Sequence, residues 1–337
     1  MPDKDLALNR RNLRCWVISD GKAGMETQCL GLAEAMGLDP EVKRIQVTRP
    51  WRWLPPAWVP SPLSRLGPKG DRLKAPWPDI LIATGRQSIA PNLAIRDLSG
   101  GQCFTVQIQN PVVDPARFDL IVTPKHDLLE GPNVLTTLGS LGRVTTARLQ
   151  NEAADFADRY AALPRPRVAV LIGGNNKVFR MTADRMTELT DQLAGLVDEG
   201  AGLMITPSRR TGAENEKILR QGLTGPAVDI WDGTGPNPYF GILGLADFVV
   251  VTCDSINMAC EAAGTGKPVF VVSLDGGSAK FTRFHECLQR TGISRPFEGR
   301  LEAWDYPPLA ETKRIAEAVW QRYDAHERPA STKLSVL

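Results

Sequence analysis

Short runs rich in valine, isoleucine and leucine recur along this 337-residue chain, and most are followed by a stretch with helical spacing. This alternation limits the fold more than any other feature. Strands so uniformly apolar must be buried on both faces, and parallel β-α units cover both faces. Residues 15–18, 79–83, 104–108 and 120–122 read as strands, with helices at 26–36 and 87–96. RYAALPRPR, residues 159–167, interrupts the pattern with two prolines and three arginines. The alternation then resumes, with strands at 168–172, 203–206, 228–231, 248–251 and 269–272. Helices are expected at 183–197 and 213–221, and a last amphipathic helix at 310–323. The expected fold class is α/β, with two Rossmann-like lobes facing a cleft, and the proline-arginine break as their boundary.

Composition excludes several functions. A formal net charge of +2 gives no reason to expect a nucleic-acid partner. Six cysteines without a C-x-x-C pair read as reduced core thiols of a cytoplasmic protein. The three histidines, His126, His285 and His326, lie far apart in the sequence, so no metal site is expected. MPDKDLALNRRNLR has no signal-peptide core, and no run of about 18 apolar residues is present.

Ligands of open α/β sheets bind beyond the carboxyl ends of strands, so the loops there carry the candidates. After the first strand, SDGKAG places Gly21, Lys22 and Gly24 before a helix, with Asp20 and Glu26 in the same turn. GGNNK puts Gly173, Gly174, Asn175 and Lys177 after the first strand of the second half. Its glycines allow close backbone approach to a phosphate, although it is neither a Walker A nor a G-x-G-x-x-G motif. Adjacent Arg209 and Arg210 suit an anion, with a solvated turn capped by Thr211 as the structural alternative. In DSINMACE, Asp254 or Ser255 can cap a helix on which Asn257 and Glu261 share a face. Residues 49–78 hold Trp51, Trp53, Trp58 and Trp77 among prolines and six basic residues. That insert suits either a membrane interface or packing against the first lobe.

These loops resemble those of the mitochondrial fission family, named for a plant elongated-mitochondria protein and containing many bacterial members. SDGKAG, GGNNK, PSRRTG, NPYFGILGLADFVVVTCDSINMACEAAGTGKPVFV and FHECLQRTGISRPF carry the resemblance, over residues 15–297. The chain reads as a bacterial-type member. The family is similar in turn to GT-B glycosyltransferases, and closest to the peptidoglycan enzyme that transfers N-acetylglucosamine to a lipid-linked acceptor.

The resemblance implies an acceptor lobe at 1–163, with the insert at 49–78, and a nucleotide-sugar lobe at 164–309. Residues 310–337 would form a helix crossing back to the first lobe, and a tail. It implies a sugar transfer from a nucleotide-diphosphate donor without metal or other cofactor, to a membrane- or lipid-linked acceptor, by a cytoplasmic protein peripheral on the inner face of the membrane. Gly173 and Gly174 would face the phosphates, Glu261 the ribose hydroxyls, and Gly21 and Gly24 the acceptor. Met25 stands where the glycosyltransferases have a histidine, which leaves Asp20 or Glu26 as the base. Asp254-Ser255 replaces Ser-Gly, so Asp254 needs a cationic partner, Arg209 or Lys267. The alternatives are a nucleotide-sugar epimerase, drawing on Asp20, Glu26, Asp254 and His285, and a membrane-associated adaptor without catalysis.

Overall fold

The most apolar strands occupy the middle of two parallel sheets in the computed structural model, which describes Arg10 and residues 12–326. The first sheet contains β1 (Cys15–Ser19), β2 (Pro40–Arg44), β3 (Ile80–Thr84), β4 (Phe104–Ile108), β5 (Leu120–Pro124) and β6 (Val134–Thr137). Their order is β2-β1-β3-β4-β5-β6, with every pair parallel. Every residue of β1, β3, β4 and β5 is buried. Helices α1 (Ala23–Ala35) and α2 (Arg86–Leu98) connect them. The insert forms short 3-10 turns, Trp51–Trp53, Pro56–Trp58 and Pro62–Arg65. Leu63, Leu66 and Trp77 pack on the sheet, against a core holding Trp16, Ile18 and Leu81.

The second half opens with α3 (Thr146–Asp155) and α4 (Ala157–Tyr160). Then come β7 (Arg167–Ile172), β8 (Phe179–Arg180), α5 (Ala183–Asp198), β9 (Gly202–Pro207), α6 (Ala213–Gly222) and β10 (Val228–Ile230). They are followed by α7 (Tyr239–Leu245), β11 (Phe248–Thr252), α8 (Ile256–Ala263), β12 (Val269–Val272), β13 (Asp275–Gly276), α9 (Ala279–Arg290) and β14 (Ser294–Pro296). The sheet order is β10-β9-β7-β11-β12-β14, again all parallel, while β8 and β13 form a small antiparallel ribbon. The expected α/β class with two Rossmann-like lobes is therefore the one found. In each sheet the strand order reverses once, between β1 and β3 and between β7 and β11, and such reversals are where open sheets receive ligands.

Within the two six-stranded sheets, three strands have no counterpart in the sequence reading: β2, β6 and β14. All three are edge strands. PEVKR in β2 is partly exposed, so it needs no apolar run to be stable there.

The two compact units divide at Arg143, with Val144–Ala310 forming the second and the chain from Glu311 returning to the first. The boundary therefore lies ahead of RYAALPRPR, not within it. The reason is that α3 packs against α7 of the second unit. Gly241 and Gly244 of α7 make the contact close: a Cβ at Gly241 would lie 2.6 Å from the Phe156 ring, and one at Gly244 would collide with the Leu149 carbonyl oxygen.

The last described helix, α10 (Glu311–Asp324), buries Ile315, Ala316, Val319, Trp320 and Tyr323 along one face. These residues complete the core that contains Val17, Leu32, Ile80 and Phe104. Burial of Ile315 and Val319 stabilises this docking by about 1.5–3 kcal/mol each. Glu311 accepts from the Leu138 amide at 2.8 Å, and the Trp320 indole donates to the Met36 carbonyl at 3.3 Å.

Gly244→Ala tests the α3–α7 packing. Alanine favours a helix over glycine by about 1 kcal/mol. Overpacking against Leu149 costs about 1–3 kcal/mol. A net fall in Tm is expected in thermal unfolding, and a rise would contradict the packing described.

Candidate functional site

At the reversal of the second sheet, Gly173 and Gly174 follow the end of β7, and Asp254 lies just beyond β11. The Gly173 amide donates to Thr252 Oγ1 at 2.8 Å, and the Gly174 amide donates to Asp254 Oδ2 at 3.1 Å. The Thr252 hydroxyl donates to Asp254 Oδ1 at 2.6 Å, and Arg210 forms an ion pair with Oδ2. Asp254 is 3% exposed, and its charge is offset within this network. Both glycines are required by space. A Cβ at Gly173 would strike the Asp254 carboxylate, and one at Gly174, whose φ is +142°, would strike the Arg210 carbonyl.

The loop after β9 closes this network from the other side. Ser208 and Thr211 donate to the Gly173 carbonyl at 2.8 and 2.6 Å, and the Asn175 amide donates to the Arg210 carbonyl at 3.0 Å. Thr211 is thus a buried strut. It caps nothing, because the residue before α6 is Gly212. Asn175 Oδ1 accepts from the Met181 amide at 2.9 Å. Arg209 and Lys177 are exposed and form no ion pair among the described residues.

The partner of Asp254 is therefore Arg210, not Arg209 or Lys267. Lys267 instead donates to the carbonyls of Leu243 and Gly244, at 2.6 and 2.7 Å, at the end of α7. Burial pushes its ammonium down to about 8.

Ser255, not Asp254, caps α8, accepting from the Met258 amide at 3.3 Å. One turn on from half-buried Asn257, Glu261 is only 7% exposed and so is not a solvent-facing residue. Tyr239 donates its hydroxyl to Glu261 Oε2 at 2.7 Å. Burial, and then the Glu261 charge, push the tyrosine well above its ordinary pKa. Sequence reading missed Tyr239, although NPYFG, a turn followed by an aromatic helix start, marked the place. On α9, His285 Nε2 lies 2.8 Å from the Cys253 carbonyl, burial lowers its pKa, and Nδ1 is buried without a hydrogen-bond partner among the described residues.

The reversal of the first sheet holds two carboxylates in contrasting states. Glu26 takes two hydrogen bonds from Arg44, at 2.9 and 2.7 Å, and a weaker one from Ser19 at 3.2 Å. These bonds, Arg44 first, hold its pKa below the usual range and make it a weak base. Asp20 has a side chain only 5% exposed. Its Oδ2 receives Lys22 and, at 3.4 Å, Gln87, while Oδ1 is buried with no partner among the described residues. Gly21 supplies the left-handed turn, with φ +78°, that leads into α1, and the Gly24 carbonyl accepts from Gln28.

In the insert, Arg49 stacks on Trp53 and Arg65 on Trp51, while Trp53 and Trp58 are exposed. No described helix is long and apolar enough to cross a membrane. All six cysteines are free thiols, and five are buried. Among the described residues, no group of three or more His, Cys, Asp or Glu is placed to hold a metal ion.

The family model for mitochondrial fission ELM1 matches residues 23–323. "Mitochondrial fission protein ELM1" of Arabidopsis thaliana is 32% identical, over 91% of this chain and 90% of that protein. In structure, the chain is similar to UDP-GlcNAc 2-epimerase of Methanocaldococcus jannaschii, with a TM-score of 0.55 and 11% identity, over 92% of this chain and 100% of that one. The same enzyme in complex with UDP-GlcNAc and UDP gives a TM-score of 0.52 at 11% identity, over 92% and 99% of the chains. These likenesses agree with the GT-B-like fold. The family match over most of its length makes this chain a member of the mitochondrial fission ELM1 family.

Proposed function

We propose that the chain is a glycosyltransferase of GT-B type, which takes its nucleotide-diphosphate sugar on the second unit. The observation that carries this reading is the buried glycine, Asp254 and Arg210 network at the sheet reversal, with the buried carboxylate of Glu261 on the helix beyond it. That a similarly folded enzyme has been seen with UDP-GlcNAc and UDP supports it.

In this mechanism Glu261, steadied by Tyr239, accepts hydrogen bonds from the ribose hydroxyls. Arg210, whose side chain is 37% exposed, turns its remaining N–H groups to the diphosphate. Asp20 is the base: it takes the proton of an acceptor hydroxyl, whose oxygen attacks the anomeric carbon. The bond from that carbon to the diphosphate breaks, and its electron pair leaves with the nucleoside diphosphate. Glu26 is a positioning residue, since Arg44 already engages it. The acceptor is lipid-linked, approached by a peripheral protein whose exposed Trp53 and Trp58 meet the membrane surface.

Isothermal titration with uridine and other nucleoside diphosphates tests the donor site. Wild-type protein is expected to bind one of them. Glu261→Gln should weaken binding by about 1.5–3 kcal/mol, or roughly ten- to a hundredfold. Absence of binding to every nucleoside diphosphate would overturn this reading in favour of a role without a nucleotide.

Asp20→Asn separates chemistry from binding. Its nucleotide affinity should match wild type within about twofold, while sugar transfer should fall roughly a hundredfold or more. Equal transfer rates would remove Asp20 as the base.

His285, whose Nδ1 is buried without a partner among the described residues and whose imidazole feels the Asp254 charge, favours epimerisation as the second reading. Incubation with donor sugars in deuterated water and no acceptor decides between them. Transfer predicts no deuterium in the sugar. Incorporation lost in His285→Gln would establish the epimerase instead.

A further inference from the structure

We propose that a pocket of the first unit, beside the Asp20 loop, binds an amphiphile with one apolar chain and an anionic head, which deepens and rests on the lipid-linked acceptor reading above. A pocket of about 430 Å³ opens beyond the carboxyl ends of β3 and β4. Its volume is that of a small-molecule site. Met25, Ile89, Ile108, Pro55 and Pro56 give it mostly apolar walls.

Its charge is one-sided. Among the described residues no Asp or Glu lines the pocket, and Arg86 is the charged residue that does. The Arg86 guanidinium donates to the carbonyls of Trp53 and Leu54, at 3.3 and 3.1 Å, and pairs with no carboxylate among the described residues. Arg86 is the first residue of α2, and Gly85 before it offers no side chain to cap the first turn. A cation without a counter-charge next to a helix N-terminus selects an anion, and the walls select an alkyl chain.

The mouth is apolar where it meets water. Val112, in the wall, is 84% exposed, and Trp58, in the same turn as Pro56, is 73% exposed. Gln109 and Val112 both hold positive φ, +72° and +58°, in the loop that forms this rim. Positive φ at a β-branched valine is a genuine outlier, and such strained positions cluster at ligand clamps.

Alkyl phosphates of rising chain length test the site by titration on the full chain. Affinity should rise about three- to fourfold per methylene from butyl to octyl phosphate, with inorganic phosphate far weaker. Arg86→Gln and, separately, Val112→Asp should each weaken octyl phosphate about tenfold. Aspartate tolerates the left-handed backbone at 112 better than valine does, so that variant should keep its fold. Anionic vesicles that compete with octyl phosphate would assign the amphiphile to a membrane, and vesicles that do not would assign it to a soluble carrier. Affinity independent of chain length, or unchanged in both variants, would overturn the proposal. The pocket does not depend on the nucleotide reading, and nucleoside diphosphate titrations on the same variants should match wild type.

Discussion

The carboxylate of Asp254 is the point on which the second unit turns. It is buried, it accepts from a glycine amide of one central strand and a threonine of the next, and it fixes Arg210. Loss of Arg210 would leave an unpaired charge in the interior, which is far more costly than never having placed it there. The glycines are a consequence, because only a residue without a Cβ lets two strand ends approach around a carboxylate. So are the hydroxyls of Ser208 and Thr211, since the Gly173 carbonyl in that crowded turn must be satisfied. One charge thereby aligns the loops after β7, β9 and β11.

A contrast between carboxylates recurs at each sheet reversal. Glu26 is engaged by a guanidinium on both oxygens, whereas its neighbour Asp20 keeps one oxygen without a partner among the described residues. In the second unit Asp254 is fully engaged, and Glu261 is held through a tyrosine.

Much of the architecture was legible in the sequence, because burial on both faces forces a continuous apolar run. VVVT in β11 and ILIA in β3 could hardly be anything but central strands. PEVKR of β2 escaped because an edge strand tolerates charge. The unit boundary escaped for another reason. Prolines mark where a chain changes direction, not where its contacts change, and α3 belongs by packing to the second unit. At the site, glycine pairs and Glu261 stood out by residue type. The choice of Arg210 over Lys267 did not, since pairing across loops depends on distances that only the folded chain sets. Thr211 looked like a cap and proved a strut for the same reason.

The docking of α10 into the first unit has a consequence for the order of assembly. The second unit is contiguous, whereas the first is interrupted and waits for Ile315, Val319 and Trp320 to fill its core. Synthesis proceeds from the N-terminus, so every strand of the second unit leaves the ribosome before the first unit receives its final helix. The nascent first sheet is thus left with part of an apolar face, the part that α10 covers, open while the second unit is made. That interval, more than the finished fold, is when an open apolar face exposes the chain to aggregation.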